Sequence, residues 1–68
     1  MDAVETATFR TVLVIRDIGT AFLCLIGSAQ VWVPLTEIRY GSELAQVGDC
    51  GRLIMSWWFA HNIGLPVP

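Results

Sequence analysis

A chain of 68 residues that is 54% hydrophobic and 15% charged makes one domain, residues 1–68. Its core alone is marginal, because a chain this short buries only about 60% of its unfolded surface. Four arginines, no lysine and a net charge of −2 argue against a basic nucleic-acid surface or an anionic-lipid anchor; two cysteines and one histidine without ligand spacing predict neither a zinc site nor a cofactor.

Residues 1–6 are polar and are expected to fray. Residues 8–16 are rich in β-branched side chains and read as a strand. Strict alternation puts Phe9, Thr11, Leu13 and Ile15 on its core face and Arg10, Val12, Val14 and Arg16 on the other. Asp17-Ile18-Gly19-Thr20 supplies a turn. Residues 21–26 form a second strand that is apolar on both faces, with Phe22, Cys24 and Ile26 alternating with Ala21, Leu23 and Leu25. Gly27-Ser28-Ala29 is a tight turn into a third strand at residues 30–33. Pro34 has no N–H to give a ladder and ends it, and a single tight helical turn is expected next.

The uncharged run from Ile18 to Thr36 is nominally long enough to span a membrane. Gly19, Thr20, Gly27, Ser28, Gln30 and Pro34 interrupt it, which argues against one apolar helix. Asp2 and Glu5 stand where a secretory leader has basic residues, so both thiols are expected to be free in a cytoplasmic protein, with Cys24 a small core hydrophobe. Downstream, Ser42 is a candidate cap for a short turn through Ala45, and residues 47–51 read as loop. Residues 52–55 form a last strand. Ser56 is an N-cap, residues 57–63 make one or two helical turns, Gly64 is a C-cap and Pro66 a stop.

Three strands joined by short turns, a late strand and a capped aromatic helix predict a mainly β fold. It is a small antiparallel barrel or bent sheet of four or five strands, OB-like or SH3-like in size, with a short C-terminal helix. The doubly apolar middle strand needs cover on both faces. Either the C-terminal segment or a second subunit must supply it, and a homo-oligomer is expected.

His61 has no carboxylate near it in sequence, and no serine context is a nucleophile elbow. Cys50, in a Gly-Asp-Cys-Gly turn, reads as a loop thiol rather than a nucleophile. Glu37, Glu43 and Asp49 read as solvated charge. Consecutive helix positions are about 100° apart, so Trp57-Trp58-Phe59 spreads aromatic surface over most of the helix. A partner or subunit interface is expected at Trp57, Trp58 and Phe59 with Val12, Val14, Leu23 and Leu25. An alternative single-stranded nucleic-acid site would use Arg10, Arg16, Trp32 and Tyr40 for phosphate contact and stacking.

The block Val31-Trp32-Val33-Pro34-Leu35-Thr36-Glu37-Ile38, with Trp58-Phe59-Ala60-His61-Asn62-Ile63-Gly64-Leu65 near the C-terminus, resembles a group of small uncharacterised proteins of tailed bacteriophages and prophages. Those carry V-W-(V/I)-P-K-(S/T)-(Q/E)-I and W-(F/L)-A-x-x-x-G-L. The resemblance covers residues 8–65 and implies a gene setting of recombination and replication functions. Leu35 replaces the usual lysine, and His61, Asn62 and Ile63 replace charged positions, which removes cations and leaves apolar surface. The expected function is therefore a non-enzymatic phage-type accessory protein in the bacterial host cytoplasm. It would bind a protein partner, as a modulator or inhibitor of a nucleic-acid-processing machine. Single-stranded nucleic-acid binding is the alternative, and an enzyme with an active site assembled between subunits is a distant third.

Overall fold

The computed structural model describes residues 5–65. Four strands, β1 (Thr6–Asp17), β2 (Ala21–Ile26), β3 (Ala29–Pro34) and β4 (Cys50–Ser56), form one sheet in the order β3-β2-β1-β4. Every pairing is antiparallel. A 3-10 turn over Leu35–Glu37 follows β3 directly, and the helix α1 (Trp57–Asn62) follows β4. The doubly apolar β2 thus lies inside the sheet, as its composition requires. Thr6, expected to fray, pairs with Ser56; residues 1–4 lie outside the described residues.

Local chemistry accounts for the connections. Gly27 takes φ +63° at the first position of a two-residue turn, which suits the right-handed twist of the β2–β3 hairpin. At the start of α1 the Ser56 hydroxyl accepts the Phe59 N–H at 3.0 Å, occupying one of the free amides of the first turn. At its end Leu65 N–H reaches Ala60 C=O at 3.1 Å and Gly64 N–H reaches His61 C=O at 3.2 Å. Gly64 there has φ +81°, and the buried pair Ala60 and Leu65 completes a Schellman closure.

The main departure from the expected pattern lies in β1. Its register against β4 passes from Phe9↔Leu53 to Val12↔Gly51, so β1 carries one extra residue there. A second irregularity falls between Val14 and Arg16 against β2. The first bulge reverses the alternation. Arg10 and Thr11 both stay exposed, and Val12 and Val14 turn inward, where they are 0% and 1% exposed. Leu13 and Ile15, assigned to the core by strict alternation, are instead only half-buried and lie outside the core cluster.

The core occupies the other face of the sheet. Val12, Val14, Cys24, Val33, Leu53 and Met55 are its largest fully buried side chains, and Leu44, Ala60 and Leu65 join them from the long loop and the C-terminal segment. Ile38 and Phe59 pack partly against it.

Candidate interaction surface

The bulge in β1 determines what the far side of the sheet presents. The registers align Gln30, Leu25, Leu13 and Cys50 in one row across all four strands. They align Trp32, Leu23 and Arg16 in the next, beside the second irregularity at Ile15. Leu13, Ile15, Leu23 and Leu25 are half-buried, Trp32 is 45% exposed, and none belongs to the core cluster. Cross-strand neighbours shield one another here, and the surface they make is apolar and continuous. Leu23 and Leu25 stand on this outer face. Val12 and Val14 do not: they are buried in the chain's own core, and Leu13 and Ile15 take their places.

Below the bulge the outer face is polar. Thr8, Arg10, Glu43 and Arg52 line an open groove of about 360 Å³. Arg52 is already engaged, with Nε 3.1 Å from the Gly41 carbonyl and its guanidinium 3.6 Å from Glu43, so the groove carries mixed charge.

The two edges of the sheet differ. Along β4, Glu43 N–H donates to Arg52 C=O at 2.8 Å and Arg39 N–H to Ile54 C=O at 2.8 Å. In the other direction Arg52 N–H donates to the Glu43 carboxylate at 2.8 Å and Ile54 N–H to the Ser42 hydroxyl at 2.8 Å. Side chains and loop backbone together stand in for a fifth strand. Ser42 thus seals this edge, and no helical turn forms at Glu43–Ala45. Along β3, no described residue pairs with the outer side.

The aromatic helix start divides as its angular spread implies. Phe59 leans on the core. Trp57 is partly exposed and stacks on His61, with ring centroids 4.8 Å apart and planes 9° from parallel. Trp58 is 69% exposed. The nucleic-acid candidates are not brought together. Arg16 and Trp32 share a row through Leu23. Arg10 lies in the groove below the bulge, and the fully exposed Tyr40 belongs to the loop outside β4, at the opposite edge from Trp32.

The carboxylates are dispersed. Glu37 accepts the Ser56 hydroxyl at 2.9 Å, Glu43 serves β4, and Asp49 accepts the amides of Ala45 and Gln46 at 2.7 and 3.0 Å. Among the described residues no three His, Cys, Asp or Glu side chains converge on a metal-sized site. Cys24 is a buried free thiol and Cys50 an exposed one, and burial pushes the Cys24 thiol up to about 11. No helix among the described residues is long and apolar enough to cross a membrane.

Sequence reasoning missed Leu13 and Ile15 as surface residues. The available signal was Arg10-Thr11, two consecutive polar residues inside an otherwise alternating strand. Comparison with known protein families, with curated proteins and with solved structures finds no match to this chain.

Proposed function

We propose that this chain is a non-enzymatic accessory protein of the phage type that works by protein–protein contact, self-association included, in the cytoplasm of a bacterial host. The machine it modulates or inhibits would be one that processes nucleic acid. One observation carries the reading: the outer face of the sheet displays Leu13, Ile15, Leu23, Leu25 and Trp32 side by side outside the core. A contiguous apolar patch of this kind marks an interaction site more often than incidental exposure does. Trp58 adds a second exposed anchor of the residue type that dominates interface energetics.

The row of Arg16, Leu23 and Trp32 supports a second reading, in which a single strand of nucleic acid stacks on Trp32 and contacts Arg16. Net charge separates the two. A phosphate-dependent binder loses affinity steeply as salt rises, whereas an apolar contact does not.

The test pairs an oligonucleotide titration at low and high salt with capture from host lysate, using wild type and the double variant Leu23→Asp with Leu25→Asp. Protein contact predicts a defined partner captured by wild type and lost in the variant, with no oligonucleotide binding. Submicromolar binding of oligo-dT that Arg16→Ala and Trp32→Ala abolish would overturn it in favour of the second reading.

A further inference from the structure

The outer side of β3 carries more than apolar side chains. Gly27–Ser28 is a two-residue turn, so Ile26 and Ala29 form the hydrogen-bonded pair that closes the hairpin. The alternation of antiparallel ladders then turns the N–H and C=O groups of Gln30 and Trp32 away from β2. The same alternation is visible further in, where Val14 exchanges bonds with Asp49 and Gly48 on the β4 side and leaves Leu13 to face β2. No described residue takes up the Gln30 and Trp32 groups. Pro34 is tolerated in β3 because its nitrogen also faces this open side.

Bare edges invite pairing, and proteins blunt them with charge, proline, bulges or covering segments. The β4 edge has such a cover in Arg39, Ser42 and Glu43. The sequence of β3, Ala-Gln-Val-Trp-Val-Pro, has no charged residue, and its register against β2 runs from Ala21↔Pro34 to Ile26↔Ala29 without a bulge. One edge of this small sheet is sealed by a network of named bonds, and the other has only Pro34, at its far end, to blunt it.

We propose that the free edge of β3 pairs antiparallel with β3 of a second copy about a two-fold axis at Val31. In this register Gln30 of each copy faces Trp32 of the other, and each pair exchanges two backbone hydrogen bonds. Pro34 falls beyond the paired stretch, so its missing N–H is never called on. Because β3 is uncharged, self-pairing brings no like charges together at the junction, the usual penalty for such a contact. The sheets join, and the two outer apolar faces become one surface with both Trp32 rings beside the seam. The inference deepens the reading of the chain as a binding module and rests on it. It names the first partner of that surface as a second copy.

The paired stretch is short against the ~800 Å² that each partner of a stable complex commonly buries, so the dimer dissociates on dilution. Light scattering on wild type between ~5 and ~500 µM, a range that brackets weak association, should show the mass rise from 7.5 kDa to twice that value. Amide hydrogen exchange supplies the site: Gln30 and Trp32 should be protected at the high concentration and exchange freely at the low one. Val31 and Val33, bonded to β2, should stay protected at both. Gln30→Pro removes an outward N–H at a position where an edge strand accepts proline, and should stay monomeric with Val31 and Val33 still protected.

A wild type that remains at 7.5 kDa throughout overturns the proposal. So does a dimer whose Gln30 and Trp32 amides exchange freely, or one that survives in a folded Gln30→Pro. If that variant does not fold, exchange in wild type decides alone. A wild type that never self-pairs yet captures a different protein would refute this inference and leave the proposed function standing; a wild type that neither self-pairs nor captures a protein, and binds oligonucleotide instead, would overturn both.

Discussion

Cys24 shows how far a single buried position can be read. Its thiol is fully enclosed, donates to the Phe22 carbonyl at 3.9 Å, and is pushed by burial from 9.0 up to about 11. The folded state therefore disfavours the thiolate, while the unfolded chain ionises freely. The resulting contribution is fully present below pH 9 and is lost as pH rises toward 11, at a cost of about 3 kcal/mol. Urea denaturation of wild type at about pH 8 and about pH 11 should show this loss, and Cys24→Ala should show a smaller one; equal losses would assign the effect to another group. Gly51 makes a different point. A Cβ there would meet the Glu43 carboxylate at 2.8 Å and its Cβ at 3.1 Å, so Gly51→Ala must displace the group that accepts Arg52 N–H. A loss of about 1 kcal/mol is expected, shrinking in a Glu43→Ala background. An unchanged loss in that background would mean the two residues are uncoupled.

At the scale of the element, the bulge in β1 decides which side chains are core. Val12 and Leu13 are neighbours of similar character on opposite faces, so matched substitutions test the assignment. Val12→Asp buries a carboxylate with no partner and should cost about 3–5 kcal/mol or prevent folding. Leu13→Asp should change stability by about 1 kcal/mol or less. The opposite ranking by thermal unfolding would restore strict alternation in β1. The extents of β2, the 3-10 turn and the ends of α1 were legible because each depends on local chemistry: an apolar run bounded by glycines, a proline, a serine cap and a glycine stop. The bulge was not, since its cost is met by burial of Val12 and Val14 in a core that also draws on Leu44, Leu53 and Met55, residues far along the chain.

For the whole molecule, the asymmetry of the two sheet edges and the placement of the tryptophans lead to a measurable expectation. Trp58 projects from α1 into solvent, and Trp32 lies at the seam proposed for self-pairing. In Trp57→Phe with Trp58→Phe, where Trp32 is the sole tryptophan, acrylamide quenching of its emission should fall as protein concentration rises. In Trp32→Phe with Trp57→Phe, where Trp58 alone reports, it should not. Equal shielding of both would move the contact to the helix end and away from β3.

The sequence by itself determined the mainly β class, the order of the elements, the hairpin turns and both ends of the helix. These follow from side-chain period and backbone restrictions that act over a few residues. It also determined that apolar and aromatic surface would exceed what one small core can hold, because composition alone sets that ratio. Only the tertiary structure decided which surface this is. A single extra residue in β1 exchanged Val12 and Val14 for Leu13 and Ile15, since a period of two carries every later side chain to the other face once the register slips. Only the tertiary structure, too, assigned Ser42 and Glu43 to sealing β4 and left β3 bare. Edge pairing is a contact between segments distant in sequence, and the sequence pattern of neither segment records it.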